Sequence, residues 1–332
     1  MKSNFSWLEK VFFRIIFKIN FINKVLFDIE KVFIYKKTPI NKSIFICGLP
    51  RSGTSILLNT IYSSKAFASC TYRNMPFILS PNIWSFFSKF LTKSNYSERA
   101  HKDGIKINID SPEAFEEVFW RIIMKNNYIQ KNSLIEHNLS REIIEEFKIF
   151  KELVCQSKKK NNYLSKNNNN ILRIGDISRN FKDSECIIMF RDPLNQSISL
   201  RKQYFNFKKL HKEDIFFINY MSFLGHFEFG MNYKKYNFEK KKKTNTEDLD
   251  YWLEKWFQVY DYLLNKKEDN ITFLSYENFC EKPKYYLNKI LGNEEMISNI
   301  DLSIIKNNNS EIIHESEIKN KAYTVYKMLN KL

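Results

Sequence analysis

Ser43-Ile44-Phe45-Ile46-Cys47-Gly48-Leu49-Pro50-Arg51-Ser52-Gly53-Thr54-Ser55 runs from an apolar stretch through a glycine-bounded turn into a helix-forming segment. A short buried strand over Lys42 to Cys47, then a helix from Ser52 to about Ser63, makes the first half of a βαβ unit. A chain that turns at Gly48 and Gly53 and starts a helix at Ser52 aims backbone N–H groups and the helix dipole at an anion. In a nucleoside triphosphatase loop of the form G-x-x-x-x-G-K-[ST], the lysine after the second glycine reaches the β/γ-phosphates. Here Thr54 holds that position, and the cation is Arg51, inside the loop. The expected ligand is phosphate-like, but not a triphosphate held by lysine.

Working outward, Cys186-Ile187-Ile188-Met189-Phe190 reads as a buried parallel strand. Arg191-Asp192-Pro193 stops it and opens a helix running through Ser199 to about Tyr204. Ile271-Thr272-Phe273-Leu274 is a third β candidate, and Tyr163–Lys166 a strand end whose four following asparagines turn into a short helix at Ile171. Ser111 and Pro112 suit a helix start, with Phe115, Val118, Phe119 and Ile122 on one face. Asp248 to Leu264 is helical, with Trp252 and Trp256 one turn apart, while Asn232 to Thr246 is a charged, solvated loop carrying the Lys240–Lys243 run. Met75 to Leu91, broken by Pro76 and Pro81, is expected as loops and short helices. The predicted architecture is a single α/β domain, a P-loop-like and mostly parallel sheet flanked by helices, over 41–332. An amphipathic helical segment over 1–40 precedes it.

A chain of 332 residues with 43% hydrophobic and 16% aromatic residues can bury a large core, which excludes a disordered protein. The net charge of +16 raises the possibility of nucleic-acid binding. Lysine is spread along the whole chain, however, and no arginine stripe with interleaved aromatics stands out, so nucleic acid is not the expected partner. An anionic cosubstrate, an anionic acceptor or a membrane surface accounts for the excess equally well. Five scattered cysteines without C-x-x-C spacing argue against a disulfide framework and against zinc, and a reducing cytoplasm is the expected compartment. Cys47 and Cys186 lie in the strands and read as small hydrophobes. No uninterrupted apolar stretch is long enough to span a membrane. Val11–Lys18 is strongly apolar, with Lys10, Arg14 and Lys18 four residues apart, a pattern that suits a core-packing helix or peripheral contact with a membrane.

Arg191 stands at the carboxyl end of its strand, and Ser199 follows about two helical turns later. Ligands of open parallel sheets bind beyond the carboxyl ends of the strands, which is also where the Gly48 loop sits. With Gly48-Leu-Pro-Arg-Ser-Gly-Thr-Ser55 and Phe190-Arg-Asp-Pro193 through Ser199, the chain resembles the sulfotransferases that use 3′-phosphoadenosine 5′-phosphosulfate (PAPS). Lys166-Asn167 and Ser275-Tyr276-Glu277 with Pro283 agree with that resemblance, as do Asp110–Trp120 and Gly225–Gly230. It is nearest to the bacterial branch with an arginine in the loop, itself similar to tyrosylprotein and glycan sulfotransferases. The resemblance implies that Gly48, Arg51, Ser52, Gly53, Thr54 and Ser55 hold the 5′-phosphosulfate and that Arg191 and Ser199 hold the 3′-phosphate. It further implies Lys166 beside the sulfuryl group and Tyr276 at the adenosine end, with a hydroxyl-bearing glycan, lipid or metabolite as acceptor and no metal. The donor chemistry suits the residues: charge develops on the bridging oxygen of the departing phosphate, and an arginine fork with backbone N–H groups stabilises it there.

The base that takes the acceptor's proton is not evident. In the tyrosylprotein branch a glutamate downstream of the loop serves, but the matching region here, Ser69-Cys70-Thr71-Tyr72-Arg73-Asn74, has no carboxylate. Candidates are His101 and Asp103, then Glu113, Glu116 and Glu117, with His226 further away. Glu113 fits an acidic first turn that complements the helix dipole, and Glu117 is the better inward candidate where its helix borders the cleft. Two other readings remain open: a P-loop kinase using ATP, which would want lysine at position 54, and a basic nucleic-acid- or membrane-binding module.

Overall fold

The structure, a computed structural model, describes residues 20–91, 96–98, 104–240, 245–266, 268–298, 300–303, 305–306 and 309–332. In chain order the first half comprises α1 (Asn20–Phe33), β1 (Lys42–Cys47), α2 (Thr54–Ser63), α3 (Pro81–Ser88), α4 (Glu117–Ile123), α5 (Arg141–Lys158) and β2 (Asn162–Lys166). Then follow α6 (Ile174–Asn180), β3 (Ser184–Phe190), α7 (Pro193–Glu213), α8 (Ile215–Leu224), α9 (Leu249–Leu264), β4 (Ile271–Ser275), α10 (Tyr276–Glu281), α11 (Pro283–Leu291), α12 (Glu294–Ser298) and α13 (Glu317–Leu329). Strands β1 to β4 form one parallel sheet in the order β2-β1-β3-β4, beside two short two-stranded pairs.

Strand alternation divides the core in two. Ile44, Ile46, Leu164, Ile187, Met189 and Leu274 face α2, α10 and α11, whose Leu57, Leu58, Ile61, Phe279 and Leu287 cover them. On the other face Phe45, Cys47, Tyr163, Cys186, Ile188 and Phe190 meet an aromatic layer of Phe119, Trp120, Phe147, Trp252 and Trp256. Both faces being covered explains why the strands are apolar runs rather than alternating ones. Register pairs Ile46 with Lys166, Cys47 with Ile188 and Phe190 with Ser275, so every strand ends at the same edge.

The described part of the N-terminal segment belongs to this body. Phe27 of α1 is fully buried edge-on to Phe119, and Glu30 accepts from the Asn82 side chain and the Ile83 N–H at the start of α3. Val11–Lys18 lies outside the described residues.

Three expectations need correction. The helix anticipated from Ser111 and Pro112 begins at Glu117, because Pro112 bridges Thr71 and the Glu113 N–H donates to the Cys70 carbonyl, which keeps the segment extended. The helix after Arg191 runs past Tyr204 to Glu213, since Phe207 and Leu210 continue its buried face. The Asn232–Thr246 stretch is not simply solvated: Lys235–Tyr236 pairs in parallel with Ser133–Leu134, and Glu239 is buried against Lys255 at 2.7 Å. Lys241–Lys243 lie outside the described residues.

One lysine sits in the aromatic core. The Lys151 Nζ is 4.0 Å from the Phe181 ring centroid, 5.4 Å from that of Phe45 and 5.7 Å from that of Phe147, and it donates to Ser43 Oγ at 3.3 Å. Burial pushes its pKa down to about 8.

Candidate active site

The loop after β1 depends on two glycines. At Gly48 φ is +143°, and a Cβ would lie 2.2 Å from the Met189 carbonyl oxygen of the neighbouring strand. At Gly53 φ is +93°, and a Cβ would lie 2.5 Å from the Tyr276 ring. Neither position accepts a side chain, so the backbone itself forms the cradle. Gly53 caps α2, which therefore starts at Thr54, and the Gly53 carbonyl accepts from the Ile56 and Leu57 N–H groups at 3.0 and 3.1 Å. Gln196 on α7 donates to the carbonyls of Leu49 at 3.2 Å and Pro50 at 3.1 Å, tying the loop to the next motif.

Arg51, at φ 71°, turns out of the loop, and its Nε donates to Ser199 Oγ at 2.9 Å. Ser199 lies on α7, whose N-terminus is capped by Asp192 accepting from the Asn195 N–H at 2.9 Å. The Asp192 carboxylate also accepts from the Tyr323 hydroxyl at 2.6 Å. The Arg191 side chain turns elsewhere, donating to Asn309 Oδ1 at 2.7 Å with its guanidinium 4.9 Å from the Tyr276 ring centroid. Tyr276, buried at the end of β4, thus lies against both Gly53 and Arg191. The Gly48 loop follows β1 and Arg191 follows β3 at the same edge of the sheet, with Ser199 bonded to Arg51 and Arg191 turned to Asn309.

The neighbouring strand β2 completes a cleft lined by Pro50, Arg51, Thr54, Ser55, Glu113, Lys166, Asn168, Met221, His226, Glu228 and Phe229. Lys166 is the last residue of β2, and its Nζ is 3.4 Å from Glu113 Oε1; both side chains are about nine-tenths buried. The Ala114 N–H donates to the same Oε1 at 3.0 Å. His226 meets the Ala114 carbonyl through Nε2 at 3.1 Å. A carbonyl only accepts, so this nitrogen carries the proton and Nδ1 is the acceptor of the neutral ring. Glu228 Oε1 accepts from Asn168 Nδ2 at 3.3 Å. The lining therefore brings the cations Arg51 and Lys166 together with the carboxylates Glu113 and Glu228 and the imidazole of His226.

Of the proposed bases, Glu117 is not in the cleft. It is fully buried against Arg173 at 2.8 Å, and it accepts from Asn167 Nδ2 at 2.7 Å and from the Tyr128 hydroxyl. Burial alone would raise its pKa, but the Arg173 charge with the Tyr128 and Asn167 donors outweighs burial and holds it below its usual value. Glu116 is likewise interior, accepting from Trp120 Nε1 at 3.0 Å and the Tyr163 hydroxyl at 2.9 Å. The physical reason is the late helix start, which turns Glu116 and Glu117 toward the aromatic core and leaves Glu113 at the cleft. His101 and Asp103 lie outside the described residues. Glu228 was not foreseen, although its period-two spacing from His226, between the buried Phe227 and Phe229, is a usable signal. Cys47 and Cys186 are buried, and desolvation raises both thiols, Cys186 to about 12. Among the described residues no group of three His, Cys, Asp or Glu is placed to hold a metal ion, and no helix is long and apolar enough to cross a membrane.

Among solved structures, the chain is similar to sulfotransferase STF9 from Mycobacterium avium, with 11% identity over 89% of this chain and 78% of that one and a TM-score of 0.47. It is similar to sulfotransferase STF1 from Mycobacterium tuberculosis H37Rv at 10% identity, over 94% and 79% of the two chains and a TM-score of 0.47. The sulfotransferase domain of the Synechococcus PCC 7002 olefin synthase matches at 11% identity, over 89% and 96%, with a TM-score of 0.38. No curated protein matches the chain. Residues 43–219 match the profile described as the sulfotransferase family, a span that includes the glycine loop, Lys166, Arg191 and Ser199. With more than half of its length inside that match, the chain belongs to the sulfotransferase family.

Proposed function

We propose that the protein transfers a sulfuryl group from PAPS to a hydroxyl of a glycan, lipid or small-metabolite acceptor by in-line displacement. The observation that carries this reading is the joining of the two anion-binding motifs: Arg51 bonds to Ser199, and Tyr276 packs against both Gly53 and Arg191. A donor with phosphate groups at both its 5′ and 3′ ends matches two adjacent anion sites, whereas ATP has no use for the second. The glycine cradle, in which a Cβ at either Gly48 or Gly53 would clash, fits a phosphosulfate held by backbone N–H groups. In this reading Gly48, Ser52, Gly53, Thr54 and Ser55 surround the 5′-phosphosulfate, and Arg51 stabilises the charge developing on the leaving phosphate. Lys166 stands beside the sulfuryl group, Arg191 and Ser199 meet the 3′-phosphate, and Tyr276 lies at the nucleoside. The decisive assay supplies PAPS labelled in its sulfuryl group with a panel of hydroxylated acceptors. Transfer to an acceptor supports the reading, and turnover of ATP without PAPS turnover contradicts it.

The acceptor reading includes a membrane-presented substrate reached from the cytoplasmic side. Phe86, Phe87, Phe90 and Leu91 at α3, and Val32 and Phe33 at the end of α1, are exposed apolar side chains, with Lys89 over the Phe86 and Phe90 rings. Such faces suit peripheral contact with anionic lipid. Absence of sedimentation with anionic liposomes removes the support for this part.

A further inference from the structure

We propose that Glu113 is the general base, aimed at the acceptor by Lys166. The inference rests on the sulfuryl-transfer reading. A base must reach the hydroxyl that attacks sulfur, so it belongs next to the group that faces the sulfuryl. Glu113 meets that requirement: its Oε1 is 3.4 Å from the Lys166 Nζ, and Lys166 ends the strand paired with the loop-bearing β1. The carboxylate is held on an extended segment by the Ala114 N–H and by Lys166, both on Oε1, and both side chains line the cleft with Arg51, Thr54 and Ser55. Among the described residues the other carboxylates are engaged elsewhere. Glu116 and Glu117 are in the core, and Glu228 accepts from Asn168. His226 is anchored to the Ala114 carbonyl, on the same turn as Glu113, which makes it the competing base.

The step balances as a single displacement. The acceptor oxygen forms a bond to sulfur while its proton passes to the Glu113 carboxylate. The bond between sulfur and the bridging oxygen breaks, with its electron pair remaining on the 5′-phosphate of 3′,5′-ADP. Lys166 acts on both partners, neutralising charge on the sulfuryl oxygens and fixing the carboxylate's direction.

The test compares wild type with Glu113→Gln, Glu113→Asp, His226→Gln and Glu228→Gln. PAPS binding is measured by calorimetry, and transfer of labelled sulfuryl is measured to a hydroxyl panel and to water, which needs no knowledge of the acceptor. Glu113→Gln is expected to lower the transfer rate about 100-fold or more while leaving PAPS affinity equal or tighter, because one negative charge near the donor is gone. Glu113→Asp should keep part of the rate that Glu113→Gln loses. A Glu113→Gln rate within about fivefold of wild type overturns the proposal, as does a larger loss in His226→Gln or Glu228→Gln. Wild type that binds PAPS yet transfers to neither water nor any acceptor also counts against an assembled base. Failure of wild type to bind PAPS at all overturns the sulfuryl-transfer reading itself, a different result.

Discussion

Arg51 Nε donates a hydrogen bond to Ser199 Oγ at 2.9 Å, linking a residue of the glycine loop to one in the helix that follows the neighbouring strand. The two lie 148 positions apart, yet parallel pairing of β1 with β3 brings their motifs to one edge. Under the sulfuryl-transfer reading their roles divide with that of Arg191. Arg51→Ala should lower transfer by about 100- to 1,000-fold, the scale expected when one charge-stabilising donor is removed, with a smaller effect on donor affinity. Arg191→Ala should instead weaken binding of 3′,5′-ADP by roughly tenfold or more, through loss of a charge-assisted contact. Equal losses of affinity in the two variants contradict this division.

The glycine cradle predicts a graded series of alanine variants. Gly48→Ala places a methyl 2.2 Å from a backbone oxygen at positive φ, so it should lower stability by about 2 kcal/mol or more and abolish donor binding. Gly53→Ala meets a tyrosine ring, which can shift, and should be milder. Gly292→Ala, at φ +64° with nothing within 4 Å, should carry only the backbone penalty of roughly 1 kcal/mol and leave donor binding intact. Chemical denaturation with and without 3′,5′-ADP separates the three.

Glu117 and Arg173 form a fully buried pair, and removing one partner strands the other. Glu117→Gln should cost roughly 3–5 kcal/mol while leaving turnover per folded molecule largely intact. The folded pKa of Glu117 is depressed, so its contribution is present above its ordinary value of 4.5 and is lost as pH falls through the lower folded value. Wild type should therefore lose more stability than Glu117→Gln on acidification below pH 4.5, as read from urea midpoints. Parallel pH curves contradict the pairing.

Lys151 has the opposite dependence. Its pKa falls from 10.5 unfolded to about 8 folded, so between those values the unfolded chain binds more protons and stability rises with pH. Lys151→Met removes the burden of a buried charge. It should stabilise the protein most below pH 8, by an amount on the order of 3 kcal/mol less any loss of ring contacts, with the advantage shrinking toward pH 10.5. A constant difference across that range contradicts it.

How much was legible follows from the range of the forces involved. The strand over Lys42–Cys47 and the helix over Leu249–Leu264 are set by local apolar patterns, and the structure places both within a residue of the sequence reading. The loop glycines were readable because their backbone conformation demands them. The start of α4 was not, since Ser111 and Pro112 satisfy local helix-start preferences while the Thr71–Pro112 bridge, a contact across forty residues of chain, keeps them extended. That one misplacement reverses the order of two candidate carboxylates: a helix from Ser111 puts Glu113 at its dipole and Glu117 toward the cleft, whereas Glu113 lines the cleft and Glu117 is buried against Arg173. Glu228 and the Arg51–Ser199 bond depend on tertiary approach and leave only a faint trace in sequence.

The central claim, two adjacent anion sites built for a donor phosphorylated at both ends, is tested most directly by calorimetric titration of the wild-type protein. The ligands are 3′,5′-ADP, 5′-AMP and ATP. 3′,5′-ADP should bind at least about tenfold more tightly than 5′-AMP, Arg191→Ala should remove most of the difference, and ATP should bind no better than 5′-AMP. Equal affinity for 3′,5′-ADP and 5′-AMP, or a preference for ATP, would contradict that claim.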